Sequence, residues 1–347
     1  MALVKKIQSD LPRSGGHPLG IHRVLEPKGQ LPQAAGRLDV SLPIYDDEAL
    51  IDVDRLNIDS ASFRQLSEDA GGDASIIAES ILRIVRERGK LQNPVTGSGG
   101  MLLGTVAQMG EKCDHSFQVG DRVATLVSLT LTPLALEEIS SLDLHTGQAR
   151  VRGHAILFSS GIAAPLPADF SEELSLAVFD VCGAPAWVKK KILPTDRVLI
   201  LGMGKAGLLS ALAALEVIPR DSLWVCDVRG EATRAALRCG LGAHTVLADA
   251  SSPVSFQESL HRSGSGLFDL VVNTCNVPGT EAASILAAKQ GGRILFFNMA
   301  TDFSRAVLSA EGIGREVEMV MGNGFASGHW QYALDLVRRN RDVWKFF

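Results

Sequence analysis

A chain of 347 residues, 46% hydrophobic and 21% charged, has the composition of an ordinary globular protein with room for two domains. The net charge of −5 leaves no basic footprint for nucleic acid, and no apolar run approaches the roughly 18 residues that a membrane span needs. The first twenty residues lack the apolar centre of a secretory signal. The five cysteines, Cys113, Cys182, Cys226, Cys239 and Cys275, are odd in number and never spaced C-x-x-C. That argues against a disulfide framework and a structural zinc lobe, and for reduced thiols in a cytoplasmic protein.

In chain order, residues 1–20 read as a loose arm containing Pro12, Gly15, Gly16 and Pro18. Residues 21–53 alternate strands and turns, and 49–55 reads as a strand. Asp73 is placed to cap a helix over 74–88, whose Ile77, Ile81, Ile84 and Val85 share one apolar face. Arg83, Arg86 and Arg88 crowd its C-terminal end, where they complement the helix dipole. A Gly-rich segment over 97–104 leads into a strand, and 119–123 is a turn entering another. A helical linker over 174–193 separates a substrate domain, residues 1–180, from a nucleotide domain, residues 181–347.

The nucleotide domain is organised around one turn. Val198 to Leu201 is a short apolar strand, and Gly202, Gly204 and Gly207 follow with G-x-G-x-x-G spacing around Lys205 and Ala206. The first glycine lets the chain turn off the strand, the second lets the backbone approach a pyrophosphate, and the third lets helix and strand pack closely. Further strands read at 223–227, 245–247, 267–273, 293–298 and 316–322, with helices at 207–218, 230–239, 254–262, 279–288 and 329–339 and a short turn at 309–312. That alternation predicts an α/β fold with a doubly wound parallel sheet. Asp227 ends the second strand, where it can hold both ribose hydroxyls of NAD and repel the 2′-phosphate of NADP. Arg229 suits a 2′-phosphate and keeps NADP open. Asn273 and Thr274 end the fourth strand and Asn298 and Met299 the fifth, so their backbones are expected at the nicotinamide riboside.

The segments 119–123 and 194–198, the glycine loop and 291–294 resemble the medium-chain dehydrogenase/reductase superfamily. The resemblance implies a GroES-like, strand-rich N-terminal catalytic domain followed by a Rossmann domain. The longer segments 20–33, 56–63, 92–100, 124–133, 298–301 and 322–325 resemble, within that superfamily, the L-erythro-3,5-diaminohexanoate dehydrogenases of lysine fermentation. This implies reversible, NAD-dependent oxidative deamination of a small diamino acid substrate by a homodimer. The zinc-bearing branch carries a Gly-His-Glu motif where this chain has Gly99-Gly100-Met101, and a cysteine ligand where it has Asp59 (or Asn57 in the register of the quinone reductases). Neither glycine nor methionine suits zinc, so no metal is expected. The usual C-terminal return into the first domain is expected to be short or missing.

Oxidative deamination needs a group that cycles between base and acid. Asp59 is the first candidate, with capping of a turn as its plain alternative; Ser60 and Ser62 can bond substrate or orient water. Asp180 lies where another superfamily ligand falls, and a lone Asp in an apolar helix asks for a partner. Thr96 and Ser98 sit in a Gly-rich loop expected to face the cleft. Arg23 can hold the substrate carboxylate as a fork, or pair with Glu26 on a solvated loop. The competing functions are a zinc-free quinone or enoyl reductase on the same fold, and a dinucleotide-binding sensor without turnover.

Overall fold

The computed structural model describes residues 11–346, so the first half of the arm read at 1–20, and Phe347, fall outside the described residues. Contacts divide the chain after Leu176 into two compact units.

The first unit is built on antiparallel pairing. A small ribbon joins β1 (Val24–Glu26) to β2 (Arg37–Leu38). The main sheet contains β3 (Glu48–Ile58), then, after the helices α1 (Ser60–Asp69) and α2 (Ala74–Arg88), β4 (Gly100–Met109), β5 (Arg122–Thr125), β6 (Leu134–Leu142), β7 (Gln148–Phe158) and β8 (Ala163–Pro165). Its spatial order is β6-β7-β3-β4-β5-β8. β3 lies near the centre, which is why nearly all of its positions are buried. Ile51, Val53 and Leu56 pack with Ile77 and Ile81 of α2 and with Leu102, Val123 and Leu157 into one core. Asp73 caps α2 as expected, its carboxylate accepting the N–H groups of Ser75 at 2.8 Å and Ile76 at 3.3 Å. Gly89 closes that helix at φ 63°. A Cβ there would meet the Leu38 carbonyl oxygen at 2.2 Å, so the cap needs glycine both for its dihedral angle and for space.

The linker read as a single helix is two, α3 (Glu172–Phe179) and α4 (Gly183–Lys191). The second unit continues with β9 (Val198–Leu201), α5 (Lys205–Leu215), β10 (Leu223–Asp227), α6 (Gly230–Arg238), β11 (His244–Leu247), α7 (Pro253–Ser263), β12 (Phe268–Asn273), α8 (Glu281–Ala287), β13 (Ala288–Phe296), α9 (Phe303–Ile313), β14 (Val317–Met321) and α10 (His329–Arg339). The short turn read at 309–312 is part of the eleven-residue α9. All six strands run parallel in the order β11-β10-β9-β12-β13-β14. Numbered within the unit this is 3-2-1-4-5-6, the doubly wound dinucleotide order, which reverses between β9 and β12. Val198 to Leu201 are completely buried, as strands covered by helices on both faces must be.

Candidate active site

At the reversal of strand order the chain leaves β9 through Gly202 at φ 88°. Gly207 is the tightest position of the turn: a Cβ would lie 1.9 Å from the Gly202 carbonyl oxygen. At Gly204 a Cβ would meet nothing within 4 Å. That open space lies at the N-terminal end of α5, where helix N–H groups have no intrahelical partners and favour a phosphate. Backbone, space and helix end therefore fit the pyrophosphate of a dinucleotide. Lys205 and Ala206 open α5 half-buried. Thr274 supports the turn from the neighbouring strand end, its hydroxyl 3.0 Å from the Leu201 and 2.8 Å from the Gly202 carbonyl oxygen.

Asp227 ends β10 as read. Its Oδ2 accepts the Met203 N–H at 2.8 Å; its Oδ1 accepts the Arg229 N–H at 2.8 Å and Arg229 Nε–H at 3.1 Å. Burial alone would raise the carboxyl pKa, but the hydrogen bonds from Arg229 and Met203 outweigh it and hold it below the usual value. Arg229 is thus tied to the acid beside it, while most of its side chain stays exposed.

At the ends of β12 and β13, where backbone contacts to the nicotinamide riboside are expected, the side chains do other work. Asn273 is completely buried. Its Nδ2 donates to Thr280 Oγ1 at 2.8 Å and to Ser284 Oγ at 2.9 Å, and its Oδ1 accepts the Cys275 N–H at 3.0 Å. It positions the loop that carries Thr274. Asn298 is half-buried and accepts the Ala300 N–H at 3.0 Å; Met299 is 79% exposed.

In the first unit the structure brings four sequence candidates into one place. Asp59 precedes α1, a helix not read from the sequence, and is its N-cap: Oδ1 accepts the Ala61 and Ser62 N–H groups at 3.0 and 3.1 Å. Its Oδ2 is buried with no hydrogen-bond partner among the described residues. The cap and the chemical reading are therefore carried by different oxygens of one carboxylate. Behind it, Ser62, Thr96 and Ser98 close a ring of hydroxyls, with Oγ–Oγ1 2.7 Å for Ser62–Thr96, Oγ–Oγ 2.8 Å for Ser62–Ser98 and Oγ1–Oγ 2.9 Å for Thr96–Ser98. Ser62 and Ser98 are buried, while Thr96 is half-buried. Sequence reasoning missed Asn93, which holds the ring in place. Its Oδ1 accepts the Val95 and Thr96 N–H groups at 2.8 and 3.3 Å, and its Nδ2 donates to Gln65 Oε1 at 2.7 Å. The Asn93-Pro94 pair was the available signal for that turn.

One expectation fails, and two other candidates are exposed. Arg23 holds no substrate carboxylate. It is fully buried, and its fork is filled by Glu48, Nε to Oε1 at 2.9 Å and Nη2 to Oε2 at 2.6 Å. Nor does it pair with Glu26 on a solvated loop. Asp180 lies exposed in the turn between α3 and α4 rather than inside an apolar helix. Ser60 is exposed in the first turn of α1, outside the hydroxyl ring. Gly99 and Gly100 occupy the place of the zinc branch's motif. A Cβ would come within 2.3 Å of the Leu91 carbonyl oxygen at Gly99 and within 2.1 Å of the Asn57 carbonyl oxygen at Gly100, so no ligating side chain fits either position.

An antiparallel sheet unit followed by a doubly wound parallel sheet with this glycine loop is the two-part fold of solved dehydrogenases. Solved structures agree on the fold. The zinc-dependent alcohol dehydrogenase 2 from Streptococcus pneumonia matches with a TM-score of 0.54 at 15% identity, over 90% of this chain and 86% of that one. The alcohol dehydrogenase TADH from Thermus sp. ATN1 matches with 0.53 at 16% identity, over 89% and 88%. Residues 22–167 match the family model of the L-erythro-3,5-diaminohexanoate dehydrogenase N-terminal domain. The L-erythro-3,5-diaminohexanoate dehydrogenase of Acetoanaerobium sticklandii is 46% identical over 333 residues, 94% of this chain and 97% of that protein. The Fusobacterium nucleatum subsp. nucleatum enzyme of the same name is 44% identical over 337 residues, 96% and 98%. The chain belongs to the L-erythro-3,5-diaminohexanoate dehydrogenase family. Among the described residues no helix is long and apolar enough to cross a membrane.

Proposed function

We propose that this enzyme catalyses the reversible, NAD-dependent oxidative deamination of L-erythro-3,5-diaminohexanoate to 5-amino-3-oxohexanoate and ammonia, in lysine fermentation, as a cytoplasmic homodimer. The observation that carries the reading is 46% identity over 94% of the chain to a relative of that name. In balance, the substrate ammonium, NAD and water give ketone, ammonium ion, NADH and one proton. The Gly202, Gly204 and Gly207 loop would hold the pyrophosphate of NAD, whose nicotinamide would supply the acceptor for the hydride from C3. The chain's own groups do the rest. Asp59 Oδ2, an acceptor without a partner among the described residues, takes a proton from the 3-ammonium so that its lone pair can drive hydride loss. The Ser62, Thr96 and Ser98 ring orients the water that adds to the imine, and Asp59 returns a proton to the departing ammonia. Asp227 supports NAD over NADP, since a depressed carboxyl pKa keeps negative charge where a 2′-phosphate would lie.

The test is NADH formation at alkaline pH from L-erythro-3,5-diaminohexanoate and NAD, with ammonia measured in the same vessel. Equal amounts of NADH and ammonia are expected. No NADH from a protein that still binds NADH in titration would overturn the reading.

A further inference from the structure

We propose that Gln33 determines specificity by presenting its side-chain amide N–H groups to the carboxylate of the substrate. The inference rests on the reaction proposed above and names the group that recognises the acid end of the diamino acid.

A substrate with two ammonium groups and one carboxylate needs donors for the carboxylate, and Arg23, the cation that the sequence offered, is consumed by Glu48. A polar path leads from Asp59 to another donor. The Asp59 N–H donates to the Gly99 carbonyl oxygen at 3.3 Å. Gly99 is packed directly against Thr130, for a Cβ on it would lie 3.2 Å from Thr130 Cγ2 and 3.3 Å from its nitrogen. The Thr130 hydroxyl donates in turn to Gln33 Oε1. With the amide oxygen turned in to the hydroxyl, the two N–H bonds of Nε2 are turned away from it, on a residue that is exposed. The amide thus lies three contacts from Asp59, and among the described residues its two N–H donors have no acceptor.

The position is also rigid. Lys90 is completely buried, and its ammonium donates to the Pro32 carbonyl oxygen at 2.8 Å and the Gln33 carbonyl oxygen at 3.2 Å. Burying an ammonium against carbonyls instead of a carboxylate is costly, and burial lowers this one's pKa to about 8. The cost falls at contacts that fix the backbone of Gln33. Thr130 is fixed as well: its N–H donates to Ser128 Oγ at 3.2 Å, and the two hydroxyl oxygens lie 2.9 Å apart. Gln33 is thus held by backbone and by side chain, which lowers the ordering cost of a contact. A neutral donor suits this substrate, since a cation here would repel the ammonium groups that Asp59 attracts.

The experiment measures kcat and KM for the parent enzyme, Gln33→Glu and Gln33→Leu, with L-erythro-3,5-diaminohexanoate and with its C1 carboxamide. NADH affinity is followed by fluorescence titration as a control for folding. With the carboxylate substrate, KM is expected to rise about tenfold to a hundredfold in Gln33→Glu and about tenfold in Gln33→Leu, the scale of a hydrogen bond to a charged group. kcat should stay within about twofold. The carboxamide should lose far less, and NADH binding should not change. Equal losses on both substrates, KM within about twofold of the parent in both variants, or a lower KM in Gln33→Glu would each overturn the role of Gln33. A parent enzyme inactive on the diamino acid would overturn the reaction itself, a result separate from any comparison of variants.

Discussion

Asp227 accepts the N–H of Met203 at 2.8 Å, so the acid that ends β10 also holds the middle of the glycine loop. A residue expected to select the cofactor is at the same time part of the loop's support. The two roles separate by substitution. Asp227→Ser shortens the side chain and removes both the charge and the reach to Met203; Asp227→Asn keeps an acceptor for Met203 and removes the charge together with the oxygen that Arg229 uses.

Both variants are expected to weaken NAD binding by about tenfold or more, because each loses a charge-assisted contact, and to move preference toward NADP. Arg229, freed from the Asp227 carboxylate, then stands ready for a 2′-phosphate. Titration with NADH and NADPH reads the change. Preference for NADH unchanged in Asp227→Asn would confine the residue to holding the loop.

Asp59 allows the same kind of separation. Asp59→Asn keeps Oδ1 for the Ala61 and Ser62 N–H groups and converts the buried acceptor Oδ2 to a donor. Turnover should fall about a hundredfold or more, the usual scale for loss of a general base, while the melting temperature stays close to the parent's. Asp59→Ala should lose the cap as well, about 1 kcal/mol. Turnover in Asp59→Asn near the parent's would leave the residue with capping alone.

The second unit was legible because parallel strands covered on both faces must be short apolar runs: 223–227 matches β10 residue for residue. The helix α1 was not. Its only buried side chains are Ser62 and Leu66, too little apolar spacing to mark a helix. The break between α3 and α4 is hidden for the opposite reason, since the residues around it are apolar almost throughout. Ser62, Thr96 and Ser98 were each visible as polar residues in suggestive places. Their ring joins positions 34 and 36 apart in sequence, which no local pattern records. Arg23 was misplaced for the same reason, as its partner Glu48 lies 25 positions away on another element.

That buried pair predicts a response to acid. Burial alone would raise the Glu48 pKa, but hydrogen bonds from His22 and Arg23 outweigh it and lower the value from 4.5 to about 2. A carboxylate with a depressed folded pKa contributes stability that is present above its unfolded value and lost as pH falls toward the folded one. The stability of the parent should therefore decline between about pH 4.5 and 2 partly through Glu48. Glu48→Gln should lower stability at neutral pH by about 3 kcal/mol, because it leaves the buried Arg23 with only the more distant Asp39 carboxylate, 3.6 Å away, as counter-charge. It should also show a shallower acid decline. Denaturant midpoints at pH 7, 4 and 3 make the comparison; parallel declines in parent and variant would remove Glu48 from the acid response.

Lys90 predicts the opposite limb of the pH curve. Burial lowers its pKa from 10.5 to about 8. Between those values the unfolded chain carries the proton and the folded one does not, so stability rises with pH across the window. That lowering corresponds to about 3 kcal/mol of burial cost, present below pH 8 and relieved by pH 10.5. Lys90→Met removes that cost together with the hydrogen bonds to the Pro32 and Gln33 carbonyl oxygens. The two losses have different signatures: the hydrogen bonds shift the whole curve, whereas the proton changes its slope. Subtracting the variant's stability from the parent's at pH 7, 8, 9 and 10 should therefore give a difference that increases with pH above 8. A difference that stays constant over that range would mean that the Lys90 ammonium keeps its proton in the folded enzyme, with the two carbonyls solvating it well enough to replace water.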